Sequence, residues 1–103
     1  MSYGYVLDVA APVEFYDALH AEVGRRSGGR ADGLLVHVGR TTPTGFQVLE
    51  VWEDEDRWNR FNAEVVGPAL AEVAATHRPD REPVFETFEV RGLVIPEHAP
   101  VFV

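Results

Sequence analysis

The chain of 103 residues contains no cysteine, so disulfide bridges, thiolate metal sites and a cysteine nucleophile are excluded. Positive charge is scarce as well: nine basic side chains stand against 17 acidic ones, for a formal net charge of -8, and the basic residues are scattered along the chain. Nucleic acid and anionic membrane surfaces both require concentrated positive charge, so neither is expected as a partner. No stretch reaches the roughly 20 apolar residues that span a bilayer. The N-terminal MSYGYVLDVAAPVEF lacks the basic segment and apolar run of a secretory signal, which makes the cytoplasm the default location. Phosphate loops, dinucleotide fingerprints and nucleophile elbows are also missing. Ser27-Gly28-Gly29 has neither the G-x-G-x-x-G spacing nor a following G-K-[ST].

What is present suffices for one core. Hydrophobic residues make up 46% of the chain, which supports a single domain over 1–103 and leaves no room for a separate cofactor domain. Ser2 to Ala10 alternates through Tyr3, Tyr5, Leu7 and Val9 as a strand does, and Pro12 suits the first turn of a helix. Val13, Tyr16, Leu19 and Val23 then form a helical stripe up to about Arg26. Ser27 to Gly33 reads as a flexible link. A second helix begins near Asp54, which can cap it, with Glu55 and Asp56 at the positive end of its dipole. Trp58, Phe61, Asn62 and Val65 share one side of that helix. Gly67-Pro68 is expected to interrupt it and start a new piece with Leu70, Val73, Ala74 and His77 inward. Val84 to Ile95 reads as a last strand. This β-α-β-β-α-β order predicts an α+β, ferredoxin-like sandwich with its helices on one sheet face.

The most specific information lies between Gly33 and Phe61. GLLVHVGRT and FQVLEVWE flank a turn, and either a two-residue loop at Pro43-Thr44 or a four-residue loop from Thr42 to Gly45 gives one antiparallel register. His37 then faces Glu50, whereas a three-residue loop with a bulge would separate them. Alternation puts Leu34, Val36, Val38, Leu49 and Val51 on one face, and Leu35, His37, Gly39, Val48, Glu50 and Trp52 on the other. The aliphatic set is expected under the helices, and the mixed set at a pocket or a subunit interface. An uncovered face bearing Trp52, Leu35 and Val48 is more apolar than monomers tolerate, which predicts a homodimer with facing sheets. The tail from about 96 to 103 ends in Val101-Phe102-Val103 and is expected to pack on the partner subunit.

The pattern E-V-W-E-D-E-D-x-W-x-x-F at Glu50 to Phe61, behind a short hairpin in a βαββαβ chain, resembles the dimeric α/β-barrel superfamily. Within it the chain looks most like the antibiotic-biosynthesis-monooxygenase type. The resemblance implies a dimeric α/β barrel built through the sheets and a cavity between sheet and helices for a small aromatic or polyketide-like ligand. Some members oxidise phenols or quinols with dioxygen and no cofactor, and others degrade haem. Many members carry a histidine in the second helix where this chain has Phe61, which argues against haem or metal ligation. Cofactor-independent members are similar in using Asn, Trp and Tyr or His around the pocket, which implies Asn62, Trp58, Tyr5 and His37 here.

His37 and Glu50 are the candidate catalytic residues. A carboxylate beside an imidazole fixes its tautomer and favours the imidazolium, as a base removing a phenolic proton requires. The alternative is a cross-strand polar pair that stabilises the hairpin or seals a dimer interface. His20 and His77 lie on helical stripes and are candidates to face the cavity, His77 as a substrate contact; either can equally be a hydrogen-bonded core residue. No histidine pair has H-x-x-x-H spacing, so no metal is expected, and Glu53 to Asp56 is an acidic helix start. Trp52, Trp58 and Phe61 either stack on a planar ligand or fill the core and interface. Three functions are compatible with these residues: a monooxygenase without a cofactor acting on an aromatic or polyketide-like metabolite, a non-catalytic binding or assembly homodimer, and, less favoured, haem binding through His77.

Overall fold

In the computed structural model, which describes residues 2–95, the hairpin adopts the two-residue version of the expected register. Strand β2 (Leu34–Thr42) pairs antiparallel with β3 (Gly45–Trp52) around Pro43-Thr44, and His37 lies opposite Glu50. Proline fixes φ at about -65°, so this turn is not one of the primed types usual in tight hairpins. β1 (Tyr3–Val9) pairs with the other edge of β3, and β4 (Val84–Phe88) pairs with β1, both antiparallel. The strand order β2-β3-β1-β4 is that of a ferredoxin-like sheet.

Local signals fix the helix ends. α1 (Val13–Ser27) stops at Gly28, whose φ of 66° is left-handed and suits a residue without a Cβ; its N–H and that of Gly29 return to the Gly24 carbonyl. α2 (Glu55–Phe61) begins behind Asp54, whose carboxylate accepts the Arg57 N–H at 2.8 Å. The expected interruption at Gly67-Pro68 takes a different form. The chain passes through a π-helical turn, Asn62–Val66, in which the Gly67 N–H reaches the Asn62 carbonyl, and continues into α3 (Gly67–Val73). Pro68 is the second residue of α3 and brings no N–H to the helical ladder, a loss that the irregular turn directly before it accommodates.

A π turn takes in one more residue than an α turn, and the extra residue rotates the next helical segment about the axis. The inner residues of α3 are accordingly Ala69 and Val73, while Leu70 is exposed. His77 lies past the end of α3. The last strand is also shorter than expected, since Gly4 of β1 is the final partner of Phe88 and no strand flanks residues 89–95 among the described residues.

The two sheet faces are reversed relative to the sequence expectation. The helices cover the mixed face: Phe46, Val48, Glu50 and Trp52 are buried there, and Phe15, Val9 and Ala11 join Phe46 and Val48 in one core cluster. Phe15, which the predicted α1 stripe omits, is the most buried residue of that helix. The reason is size. The mixed face carries the largest rings, so covering it removes more apolar area from water than covering valines would.

The open face carries the aliphatic set instead: Val38 is 48% exposed on the β2 edge, and Val84, 52% exposed, and Phe88 lie on the β4 edge, while Val51 in the middle of the face is buried. A polar ladder crosses it, from Arg40 to Gln47 at 2.8 Å and from Gln47 to Asp8 at 3.0 Å. Trp52 and Val48 therefore do not belong to the uncovered face. A register shift between Leu34 and Val36 places Leu34 opposite Trp52, so Leu34 does not continue the Val36–Val38 series. The tail expected on a partner subunit lies outside the described residues.

Candidate functional site

Under the helices the sheet brings a charged group into an aromatic setting. Glu50 is only 8% exposed, on the central strand β3, and both of its oxygens are engaged. Oε1 accepts from the Tyr5 hydroxyl at 2.7 Å and from the Trp52 indole N–H at 2.8 Å; Oε2 meets His37 Nδ1 at 2.6 Å. Strand register produces these contacts, since Tyr5 and His37 both lie directly opposite Glu50, on β1 and β2, and Trp52 is two residues along β3. Three donors compensate the desolvation of one carboxylate.

The network continues outward through α1. Tyr16 Oη lies 2.8 Å from His37 Nε2 and 3.4 Å from His20 Nδ1. With Nδ1–H donated to Glu50, a neutral His37 accepts at Nε2 from the Tyr16 hydroxyl. Protonation of His37 reverses that bond, and the Tyr16 hydroxyl is then free to turn to His20. The His20 and His37 rings are stacked 5.4 Å apart. A chain of exchangeable protons thus runs from exposed His20 to buried Glu50. Burial, then the charges of Glu50 and Asp17, raises the Tyr16 hydroxyl above its ordinary pKa. Burial, then the Glu50 charge and hydrogen bond, raises Tyr5 much further.

Aromatic rings enclose the carboxylate. Tyr5 packs against Trp58 at 4.8 Å and Phe85 at 4.9 Å between centroids, and Trp52 against Phe61 at 5.3 Å and Trp58 at 5.7 Å. The structure therefore assembles four of the six residues named from the sequence: His37, Glu50, Tyr5 and Trp58. Asn62 is exposed at the head of the π turn. His77 packs edge-on against Phe15 at 6.0 Å, with Nδ1 2.9 Å from the Thr76 hydroxyl, away from the Glu50 network. Glu50 and His37 lie on the helix-covered face, so a sheet-to-sheet interface does not contain them.

Sequence reasoning passed over Tyr16, which it assigned to a core stripe, and read Trp52 as an interface residue. One signal for Tyr16 was available. Gly39, two residues after His37, has no side chain where the Tyr16 ring lies: a Cβ there would collide with the ring. Beside Tyr16 and Gly39 is a recess of about 180 Å³, which also touches Phe46 and Arg40. That is below the roughly 300–1,000 Å³ of typical small-molecule sites. Among the described residues no group of three or more His, Cys, Asp or Glu side chains is placed to hold a metal ion.

No family model matches the chain, and no curated protein sequence matches it. Solved structures do. A candidate antibiotic biosynthesis monooxygenase from Caulobacter crescentus superposes with a TM-score of 0.69 at 16% identity, over 88% of this chain and 91% of that one. The fold is that of the antibiotic-biosynthesis-monooxygenase proteins. A second candidate antibiotic biosynthesis monooxygenase, from Chloroflexus aurantiacus, gives 0.63 at 22% identity over 93% and 100% of the two chains. SnoaB, a cofactor-independent oxygenase from Streptomyces nogalater, gives 0.60 at 15% identity over 90% and 94%. Among the described residues no helix is long and apolar enough to cross a membrane.

Proposed function

We propose that the chain is a small oxygenase of this fold, acting without a cofactor on an aromatic or polyketide-like phenol, with His37 as general base. The observation that carries the reading is the 2.6 Å contact of His37 Nδ1 with buried Glu50, which fixes the tautomer and leaves Nε2 as the basic nitrogen. A substrate hydroxyl taking the place of the Tyr16 hydroxyl at Nε2 would lose its proton to His37, and Glu50 would stabilise the imidazolium. The electron-rich phenolate then reacts with dioxygen. One ring carbon exchanges its single hydrogen for one oxygen atom of dioxygen and becomes a carbonyl, the phenolate oxygen becomes the second carbonyl of a quinone, and the other oxygen atom leaves as water with that hydrogen and the proton held by His37. Tyr5, backed by Trp58, lies on the other side of Glu50 and holds the carboxylate that orients His37.

A specific observation favours a second reading, a non-catalytic binding or assembly protein. Both nitrogens of His37 and both oxygens of Glu50 already have partners in the chain, and no buried side-chain nitrogen or oxygen lacks one among the described residues. Such a network is complete without a ligand. Dioxygen uptake with a panel of polycyclic phenols separates the two. Under the enzyme reading His37→Gln lowers turnover by about 10²–10⁴-fold, the usual contribution of a general base; no turnover across the panel favours the second.

The homodimer belongs to the same proposal. The open valine face supports it, since exposing Val38, Val84 and Phe88 together is unfavourable for a monomer. Equilibrium sedimentation is expected to give a dimer, and Val38→Asp a monomer.

A further inference from the structure

All nine basic residues are arginine, and four of them line one groove of about 320 Å³. Arg26 comes from the last turn of α1, Arg30 from the loop after the left-handed glycines, and Arg57 and Arg60 from successive turns of α2. Phe61 and Val65 supply its apolar wall. In a chain of net charge -8, the lining of this groove carries four arginines against two carboxylates, Asp32 and Glu64.

The four guanidinium groups are not equivalent. Arg57 is tied to Asp54, to Glu53 at 3.3 Å and to Asp32 at 3.8 Å, and Gly33 leaves room for its stem, since a Cβ there would overlap Arg57 Cδ. Arg26 bonds Glu22 at 2.7 Å, and hydrogen bonds from Arg25 and then Arg26 hold that carboxyl down at about 2. Arg30 and Arg60 make no ion pair among the described residues. Two held arginines thus shape the groove while two from separate elements keep their donors free. Of the acidic residues lining it, Asp32 is the one turned to Arg57, and exposed Glu64 borders the groove from the π turn.

We infer that this groove binds an organic oxyanion, a carboxylate or phosphate carried on an apolar body, with Arg30 and Arg60 on the oxyanion and Phe61 and Val65 against the body. The guanidinium fork matches both oxyanions in a bidentate way, and a flat ring or acyl chain fits the apolar wall. The π turn Asn62–Val66 is the second mark of a site. Such turns are rare, cost backbone regularity and occur frequently where function requires them; this one sets Glu64 and Val65 on the groove. Phe61 also connects the groove to the interior, because its ring lies 5.3 Å from Trp52, whose N–H is bonded to Glu50. Oxyanion binding in this groove is independent of the oxygenase reading and holds whether or not the chain turns over a phenol.

The test is an amide NMR titration of the whole chain with 1-naphthoate and, separately, with the neutral 1-naphthalenemethanol. Saturable shifts centred on Arg60, Phe61 and Val65 with naphthoate are expected, weakened about tenfold or more in Arg30→Gln/Arg60→Gln and by added salt. Amide spectra of the free double variant that overlay the wild type away from the substitutions establish that it is folded. Equal binding of the neutral alcohol, unchanged affinity in the double variant, or shifts confined to other regions would each overturn the assignment.

Discussion

Tyr5 and Glu50 face each other across the β1–β3 pair, and the tyrosine hydroxyl donates to the carboxylate at 2.7 Å. Burial and the carboxylate together keep the phenol protonated well above its ordinary pKa of 10.0. The folded chain therefore holds a proton that the unfolded chain releases. Stability attributable to Tyr5 is complete below about pH 10 and falls as pH rises above it, by about 1.4 kcal/mol per unit for one proton. Tyr3 and Tyr16 are shifted in the same direction, so the total slope is steeper. Urea unfolding at pH values on either side of 10.0 is expected to show a shallower loss in Tyr5→Phe than in the wild type. Parallel pH dependences would mean that Tyr5 ionises equally in both states.

Glu50 serves three donors at once, so its truncation and its isosteric replacement separate. Glu50→Ala leaves Tyr5, Trp52 and His37 without their acceptor and opens a cavity; a loss of roughly 3–5 kcal/mol is expected. Glu50→Gln keeps the shape and an acceptor oxygen for Tyr5 and Trp52, and its expected loss is about 1–2 kcal/mol. Chemical denaturation of both variants checks this. Equal losses would show that the position requires the ionised carboxylate itself, since Glu50→Gln keeps both the shape and an acceptor oxygen.

Gly39 determines where Tyr16 lies. Gly39→Ala would place a methyl group well inside contact distance of the Tyr16 ring, so the ring must move off His37. The expected cost is about 1–3 kcal/mol, the range for overpacking. The sharper readout is imidazole ¹⁵N NMR. Loss of the Tyr16 bond is expected to change the Nε2 shift of His37 while Nδ1, held by Glu50, stays put. A Nε2 signal unchanged in the variant would mean that Tyr16 is not its partner in solution.

Several elements were readable in the sequence because they depend on near neighbours. Asp54 caps α2 through a bond three residues away, and the His37–Glu50 pairing comes from a two-residue turn and a side-chain period of 2. The ferredoxin-like order came from the alternation of helical and strand patterns. The phase of α3 was not readable, because nothing before Gly67-Pro68 announces a π turn, and a single extra residue exchanges Leu70 for Ala69 on the inside. Tyr16 and His37 are 21 residues apart and meet only because α1 crosses β2 at Gly39.

The sequence by itself determined that the hairpin has two chemically different faces and, from Val36 onward, which residues share each, since alternation is a local property of extended backbone. Only the tertiary structure decided which face the helices cover. That choice depends on the summed area and fit of side chains from separate elements, Phe15 against Phe46 and Tyr16 over Gly39, and on whether the polar groups can satisfy one another once buried. Here Glu50, His37, Tyr5 and Trp52 do so, and the large rings are covered while Val38 and Val84 of the other face are left open.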